Sequence, residues 1–324
     1  MSASVPAHVQ AHAQTSTRER ALAGVVPVLP TPFTDTLMPD MAALRRLVRY
    51  LLRCGVDGIA YPGVASEVAQ LSESERSTLV AVVLEEVAGR VPVVVGASSA
   101  ALPETLRLAR TAADAGASVL MVAAPADPAG LPAQRVYFTA VAEAAGAVPL
   151  MLQNLPAPGG ADLAPELLAD LLDAVPQIRY VKEEALPSGQ RLTALRERAP
   201  AHLLGLFGGA GGRYIVGELA RGASGTMPAI ELAEVHVALW GAHRRGDDSA
   251  VRALFMRMLP VLNLQAVFRW ALTKQVLQAR GLIACTAQRT PGPRLDRLDA
   301  DEVNTLLTGL RDLLLGADEL TALS

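Results

Sequence analysis

Lysine is almost absent from this chain. Of its 29 lysine and arginine side chains only two are lysines, Lys182 and Lys274. Arginine stays protonated and cannot act as an amine nucleophile, whereas a lysine in an apolar pocket can lose its proton and attack a carbonyl. Cysteine is as rare: Cys54 and Cys285 form neither a disulfide framework nor a metal knuckle, and read as small buried hydrophobes in a reducing compartment, the cytoplasm. The five histidines (His8, His12, His202, His236, His243) lack metal-ligand spacing, so no metal is expected. Net charge is −3 with both signs spread along the chain, which provides no basic face for nucleic acid or an anionic membrane. No apolar run reaches the roughly 18 residues of a membrane span. Residues 1–22 lack a secretory hydrophobic segment and read as a disordered arm.

What is present is a repeated unit. Gly24-Val-Val-Pro-Val-Leu-Pro-Thr-Pro-Phe33 is an apolar strand broken by prolines, and Leu44, Leu47, Val48 and Leu51 mark a helix over Asp40–Cys54. Six further strand-then-helix units follow: strand 58–63 with a helix to Ala88 that Ser72 and Glu75 can start as a capping box, 91–96 with 104–115, 118–125 with 133–145, 148–154 with 165–174, 179–184 with 188–198, and 203–208 with 212–220. An eighth pairs 224–228 with 232–244. Strands apolar on both faces, each followed by a helix, describe a parallel sheet wrapped by helices, and eight units close naturally into a (β/α)8 TIM barrel over residues 23–245. Residues 246–324 add roughly three helices, including 261–280 and 299–315, with a turn at Thr290-Pro-Gly-Pro293. A doubly wound open sheet is the alternative, and the lack of a G-x-G-x-x-G loop after the first strand weighs against its dinucleotide-binding form.

Barrel active sites form at the C-terminal ends of the strands. Gln177-Ile-Arg-Tyr-Val-Lys-Glu-Glu184 puts one of the two lysines there, followed by two carboxylates. The strand ends hold one amine, three carboxylates and several hydroxyls and amides, without histidine or cysteine, which fits a lysine imine better than a serine triad or a thiol nucleophile. The bland reading of Lys182 is a strand-end lysine capped by Glu183 or Glu184. Lys274, on a late amphipathic helix, is expected to be solvated or paired with a terminal carboxylate. Alternation along a strand sets Glu184 on the Lys182 face and Glu183 on the other.

Four motifs in order, Pro27-Val-Leu-Pro-Thr-Pro-Phe33, Gly63-Val-Ala-Ser-Glu67 followed by Leu71-Ser72, Gln153-Asn-Leu-Pro156 and Val181-Lys-Glu183, resemble the dihydrodipicolinate synthase and N-acetylneuraminate lyase family over residues 22–315. The resemblance implies a barrel with extra C-terminal helices, a 2-oxo acid bound as an imine on Lys182 without any other cofactor, and a homotetramer built from dimers. It also implies substrate binding by Gly63, Val64, Ala65, Gln153, Asn154 and Thr226.

The sequence departs from the family pattern at several places. Gln153 stands where a proton-relaying tyrosine is usual, and an amide cannot titrate in its place. Both threonines of the usual Gly-Thr-Thr-Gly-Glu loop are missing, and the arginine that holds a substrate carboxylate in the synthases is replaced around Ala157-Pro158-Gly159. Glu184 is the candidate base that replaces the relay, and Ser66 the candidate second proton carrier. For Ser66 a loop-ordering hydroxyl is the plain alternative, as a rim ion pair is for Glu184. Lys182-Glu183-Glu184 with Arg221-Gly-Ala-Ser-Gly-Thr-Met-Pro228 looks like the branch that dehydrates 2-keto-3-deoxy sugar acids, in particular 2-keto-3-deoxy-L-arabonate. A pyruvate-dependent aldolase, a synthase-type condensation and a non-catalytic 2-oxo-acid-binding barrel stand as alternatives.

Overall fold

The structure is a computed structural model that describes residues 21–127 and 130–323. The proposed arm falls almost wholly outside the described residues. Its last two residues do not: Ala21 is exposed, whereas Leu22 is buried and its backbone N–H donates to Tyr180 Oη at 3.0 Å.

Eight parallel strands form one sheet: β1 Gly24–Val25, β2 Ile59–Ala60, β3 Val93–Gly96, β4 Val119–Ala123, β5 Leu150–Asn154, β6 Ile178–Glu183, β7 Gly205–Gly208 and β8 Gly225–Thr226. Their order is β1-β8-β7-β6-β5-β4-β3-β2. A bridge between Val28 and Ala60 links the two ends and closes the barrel, with Leu29 N donating to Ala60 O at 3.0 Å. The ladder of β1 is far shorter than the apolar run around it because Pro27, Pro30 and Pro32 have no N–H to contribute.

Eight helices cover the outside: α1 Met41–Cys54, α2 Glu73–Val87, α3 Leu102–Asp114, α4 Leu131–Ala145, α5 Pro165–Ala174, α6 Ser188–Arg198, α7 Ile215–Leu219 and α8 Ala233–Arg244. The expected capping box is formed: Ser72 Oγ accepts from Glu75 N at 3.2 Å and Glu75 Oε2 from Ser72 N at 2.9 Å. α7 starts three residues later than its apolar spacing suggests, because Gly211 and Gly212 hold φ of +70° and +81° and the chain first makes a tight turn over Ala210–Gly212. Val28, Val94, Met121, Met151, Tyr180, Phe207 and Met227 fill the barrel interior, while a larger apolar layer joins strands to helices.

The C-terminal region needs two corrections. The expected helix over 261–280 is two helices, α9 Asp248–Phe268 and α10 Trp270–Ala279, separated at Arg269, whose φ of 48° and ψ of −115° no helix tolerates. The expected helix over 299–315 ends at Thr308 (α11 Arg297–Thr308), with a turn at Arg311–Leu313 and a short α12 Ala317–Thr321 after it. By length and composition α9 could cross a membrane, yet it carries Arg252 and Arg257 and packs on α8.

Candidate active site

β6 places Tyr180 and Lys182 on its inner face one above the other, and Glu184, the first residue past the strand, follows on the same side. Tyr180 lies in the barrel core against Phe207, and Lys182 and Glu184 line a cavity of about 550 Å³ at the mouth. Lys182 Nζ lies 2.9 Å from Glu184 Oε1, and its side chain is 6% exposed. Gln153, beside Lys182 in the β5–β6 register, donates its amide to the same Glu184 Oε1 at 2.6 Å. Ala210 N donates to Glu184 Oε2 at 3.2 Å. Burial pushes the Glu184 carboxyl up, but Lys182, the Gln153 amide and the Ala210 N–H together outweigh it and hold the group below the ordinary carboxylate range. Gly209 makes room for this arrangement: a Cβ there would sit 2.5 Å from Glu184 Cγ.

Glu183 points to the opposite face, as strand alternation requires. It accepts from Asn154 Nδ2 at 3.1 Å, from Ala185 N at 2.8 Å, and pairs with Arg191 at 3.3 Å. Burial raises its pKa against those three donors. Asn154 also brackets Leu163, taking its N–H on Oδ1 and giving Nδ2 to its carbonyl. Its side chain thus ties down the loop after β5.

The remaining expected residues divide in the same way. Val64 and Ala65 line the cavity. Gly63 spends its N–H on Ser66 Oγ at 2.9 Å, and Ser66 Oγ in turn donates to Leu29 O at 2.5 Å. Ser66 is fully buried and outside the cavity lining, so its hydroxyl orders the loop and the candidate role as proton carrier is not carried forward. Thr226 is buried on the opposite face of β8 from Met227, which lines the cavity, and its hydroxyl has no partner among the described residues.

Lys274 is the clearest reversal. It is fully buried, not solvated, and its partner is an internal residue: Nζ lies 2.5 Å from Glu67 Oε1, 2.7 Å from Ala287 O and 4.4 Å above the Phe33 ring. Apolar residues around Lys274 on α10 give the same periodicity whether its face meets water or the barrel, so spacing alone could not decide it.

Several cavity residues escaped the sequence reading: Arg213 and Tyr214 beyond β7, and Gln265, Arg269, Trp270 and Thr273 from α9, α10 and their junction. They come from segments distant in sequence from the strand ends and carry no motif. The single available signal is scarcity, since Trp270 is one of two tryptophans.

With the geometry in place, comparison with known proteins is decisive. Residues 21–310 match the Dihydrodipicolinate synthetase family. The chain belongs to that family. It is 30% identical over 276 residues to L-2-keto-3-deoxyarabonate dehydratase of Azospirillum brasilense, covering 84% of this chain and 89% of that protein. It is 32% identical over 311 residues to 4-hydroxy-tetrahydrodipicolinate synthase of Xanthomonas axonopodis pv. citri, covering 91% and 99%. Among solved structures it superimposes on dihydrodipicolinate synthase from Rhodopseudomonas palustris with a TM-score of 0.83 at 27% identity, over 89% of this chain and 97% of that one. It also matches YagE, a prophage protein of the same family from E. coli K12 in complex with pyruvate, with a TM-score of 0.82 at 26% identity over 90% and 99%. The family's enzymes are lyases built on this barrel.

Proposed function

We propose that this protein is a lyase that binds a 2-oxo acid as an imine on Lys182 and dehydrates a 2-keto-3-deoxy sugar acid. The observation that supports it most is the Lys182–Glu184 pair at 2.9 Å on the cavity wall, with Glu184 fixed by Gln153 and Ala210. A proton passed from the Lys182 ammonium to Glu184 frees the amine, which attacks the C2 ketone. The protonated Glu184 then gives its proton to the carbinolamine hydroxyl, which leaves as water and yields a cationic imine. That cation acidifies C3, Glu184 takes a C3 proton to give the enamine, and the same proton returns to the C4 hydroxyl as it departs as water. In the 2-keto-3-deoxy-L-arabonate adduct a proton then moves from C5 to C3, and tautomerisation of the resulting C4–C5 enol with hydrolysis of the imine releases the keto-semialdehyde and regenerates Lys182. One carboxylate thus performs in turn the steps first divided between Glu184 and Ser66.

A base that faces C3 favours dehydration. In an aldolase the acceptor faces the C4 hydroxyl and the C3–C4 bond breaks, releasing pyruvate. Borohydride with pyruvate, then with 2-keto-3-deoxy-L-arabonate, separates these readings when intact mass and released product are followed in wild type and Lys182→Ala. Dehydration yields a Lys182-dependent adduct and a keto-semialdehyde; pyruvate released from the sugar acid moves the assignment to an aldolase, and absence of any adduct removes the imine. Family resemblance further suggests a homotetramer, which light scattering of the purified protein measures.

A further inference from the structure

The mouth of the cavity carries more positive charge than its own carboxylates neutralise. Lys182 is matched by Glu184, and Asp162 on the rim pairs with Arg191 at 3.4 Å. Arg213 and Arg269 also line the cavity, and among the described residues neither has a carboxylate within ion-pair distance. Both are held in place by other means. Arg213 Nη1 donates to Gln265 Oε1 at 2.8 Å, and Gln265 lies one helical turn before Arg269, whose backbone N–H donates to the Gln265 carbonyl at 2.8 Å. The Arg269 guanidinium lies 4.6 Å over the Trp270 ring, and Trp270 Nε1 is anchored on Val64 O at 2.7 Å.

The backbone is shaped to keep them there. Gly211 holds φ +70°, and a Cβ on it would lie 2.9 Å from Gln265 Oε1 and 3.1 Å from Arg213 Nη1. Arg269 itself is a non-glycine residue at positive φ, a strained conformation that clusters at functional sites. The buried Glu231 carboxyl feels the Arg213 charge but makes no ion pair with it, so two guanidiniums, one resting on an aromatic face and one on an amide, keep donors for a planar or tetrahedral anion.

We infer that Arg213 and Arg269 bind a second anionic group, carboxylate or phosphate, at the end of the substrate remote from the ketone. The inference rests on the imine reading of Lys182 and narrows its substrate class. The first carboxylate of any 2-oxo acid is bonded to the imine carbon and stays at the depth of buried Lys182, while Arg269 is exposed at the rim. A 2-keto-3-deoxy acid ending in a neutral hydroxymethyl group, such as 2-keto-3-deoxy-L-arabonate, is then still trapped and dehydrated, but at higher concentration than one ending in an anion. The arginine pair also accounts for the empty arginine position after β5, because the anion contact comes here from the turn after β7 and from the α9–α10 junction.

The test compares matched pairs by borohydride trapping on the full chain. 2-Oxoadipate and 2-oxohexanoate share length and differ in a terminal carboxylate; 2-keto-3-deoxy-6-phosphogluconate and 2-keto-3-deoxygluconate differ in a terminal phosphate. The half-saturating concentration is expected to be at least tenfold lower for the anionic member of one pair, and that pair identifies the group. The advantage should shrink in 0.5 M KCl and collapse toward equality in Arg213→Gln/Arg269→Gln. No advantage in either pair overturns the inference, as does a double variant that weakens pyruvate as much as the anionic acid, since the arginines would then hold the carboxylate beside the ketone. Trapping of pyruvate by wild type reports separately on the imine. Calorimetric titration of Lys182→Ala with the same pairs reads the preference without covalent chemistry, so loss of the imine leaves this inference open to refutation.

Discussion

The two lysines occupy sites alike in chemistry and opposite in access. Each ends 2.5–2.9 Å from a carboxylate oxygen within the barrel mouth region. Around Lys274 and Glu67 every direction is closed: both side chains are 0% exposed, Glu67 Oε2 takes the backbone N–H groups of Arg289 and Thr290 at 2.8 and 2.7 Å, and Ala287 O takes another Lys274 proton. This pair fastens the loop after β2 to the segment after α10. Around Lys182 and Glu184 one side is open to the 550 Å³ cavity. Glu184 keeps the two donors Gln153 and Ala210 when Lys182 changes state, so the lysine can leave the pair without stranding the carboxylate. The two lysines thus differ less in partner than in what surrounds the partner, and the open side of the Lys182 pair is what the imine proposal requires.

The strongest break of this comparison preserves charge. Lys182→Arg is expected to abolish the borohydride adduct and lower turnover by about 1000-fold or more, because a guanidinium cannot attack a ketone. Lys274→Arg should still give the adduct mass, while its bulkier head strains a closed site and lowers the melting temperature. An adduct that survives in Lys182→Arg would assign the chemistry to another amine.

Neutral replacements reverse the order of damage. Lys274→Met strips the buried Glu67 charge of its Lys274 counter-charge and leaves it only the Arg289 and Thr290 N–H groups in a closed site, with an expected loss of about 3–5 kcal/mol in denaturant unfolding. Adding Glu67→Gln should recover part of it, since the stranded charge is gone. Lys182→Met, which leaves Glu184 its other donors and an open side, should cost clearly less. Equal losses for the two methionine variants would remove the distinction drawn between the sites.

Glu218 shows what a carboxylate does here with no lysine. It is 1% exposed, accepts from Ser188 Oγ at 2.7 Å, and its second oxygen has no partner among the described residues. Burial pushes it up to about 7, against the Ser188 hydroxyl and with help from the nearby Glu184 and Glu183 charges. The folded state therefore binds this proton more tightly than the unfolded chain, whose ordinary value is 4.5. Its stabilising effect is full below pH 4.5 and fades as pH rises through 7. The stability of wild type relative to Glu218→Gln should fall by about 3 kcal/mol between pH 4.5 and 8, read from denaturant midpoints at each pH. A difference that is flat with pH would mean that Glu218 is already ionised in the fold.

Periodicity made the barrel legible: apolar runs and helical spacing located eight strand–helix units, and their closure followed from number alone. Scarcity singled out Lys182 and strand alternation set Glu184 on the same face, and both line the cavity. What stayed hidden depends on contacts between distant segments. The amphipathic pattern of α10 could not tell Lys274 buried on Glu67 from Lys274 in water, and nothing local announced that α9 and α10 break at Arg269 to close the cavity. Ser66 and Asn154 carry loop contacts that were hidden for a related reason. Short polar side chains at strand ends have the right chemistry for a substrate, but backbone groups within the same loops claim them first.

Gln153 offers the finest test of how Glu184 is tuned. Its amide gives a 2.6 Å bond to the oxygen that also meets Lys182, so it stabilises the carboxylate form. Gln153→Leu removes the donor and keeps the bulk. A hydrogen bond to a charged group contributes about 1.5–3 kcal/mol, which corresponds to roughly a 10- to 100-fold change when it is lost. The sign on pH follows from the direction of the shift. Glu184 is held below its ordinary range in part by this bond, so its loss raises the group's pKa and moves the acid limb of the rate profile to higher pH. Weaker positioning should lower kcat more than it raises KM, because Gln153 lies outside the cavity lining and reaches the substrate only through Glu184. A variant whose kcat falls with no movement of the acid limb would show that the amide holds geometry alone, and that Lys182 and the Ala210 N–H suffice to keep Glu184 ionised.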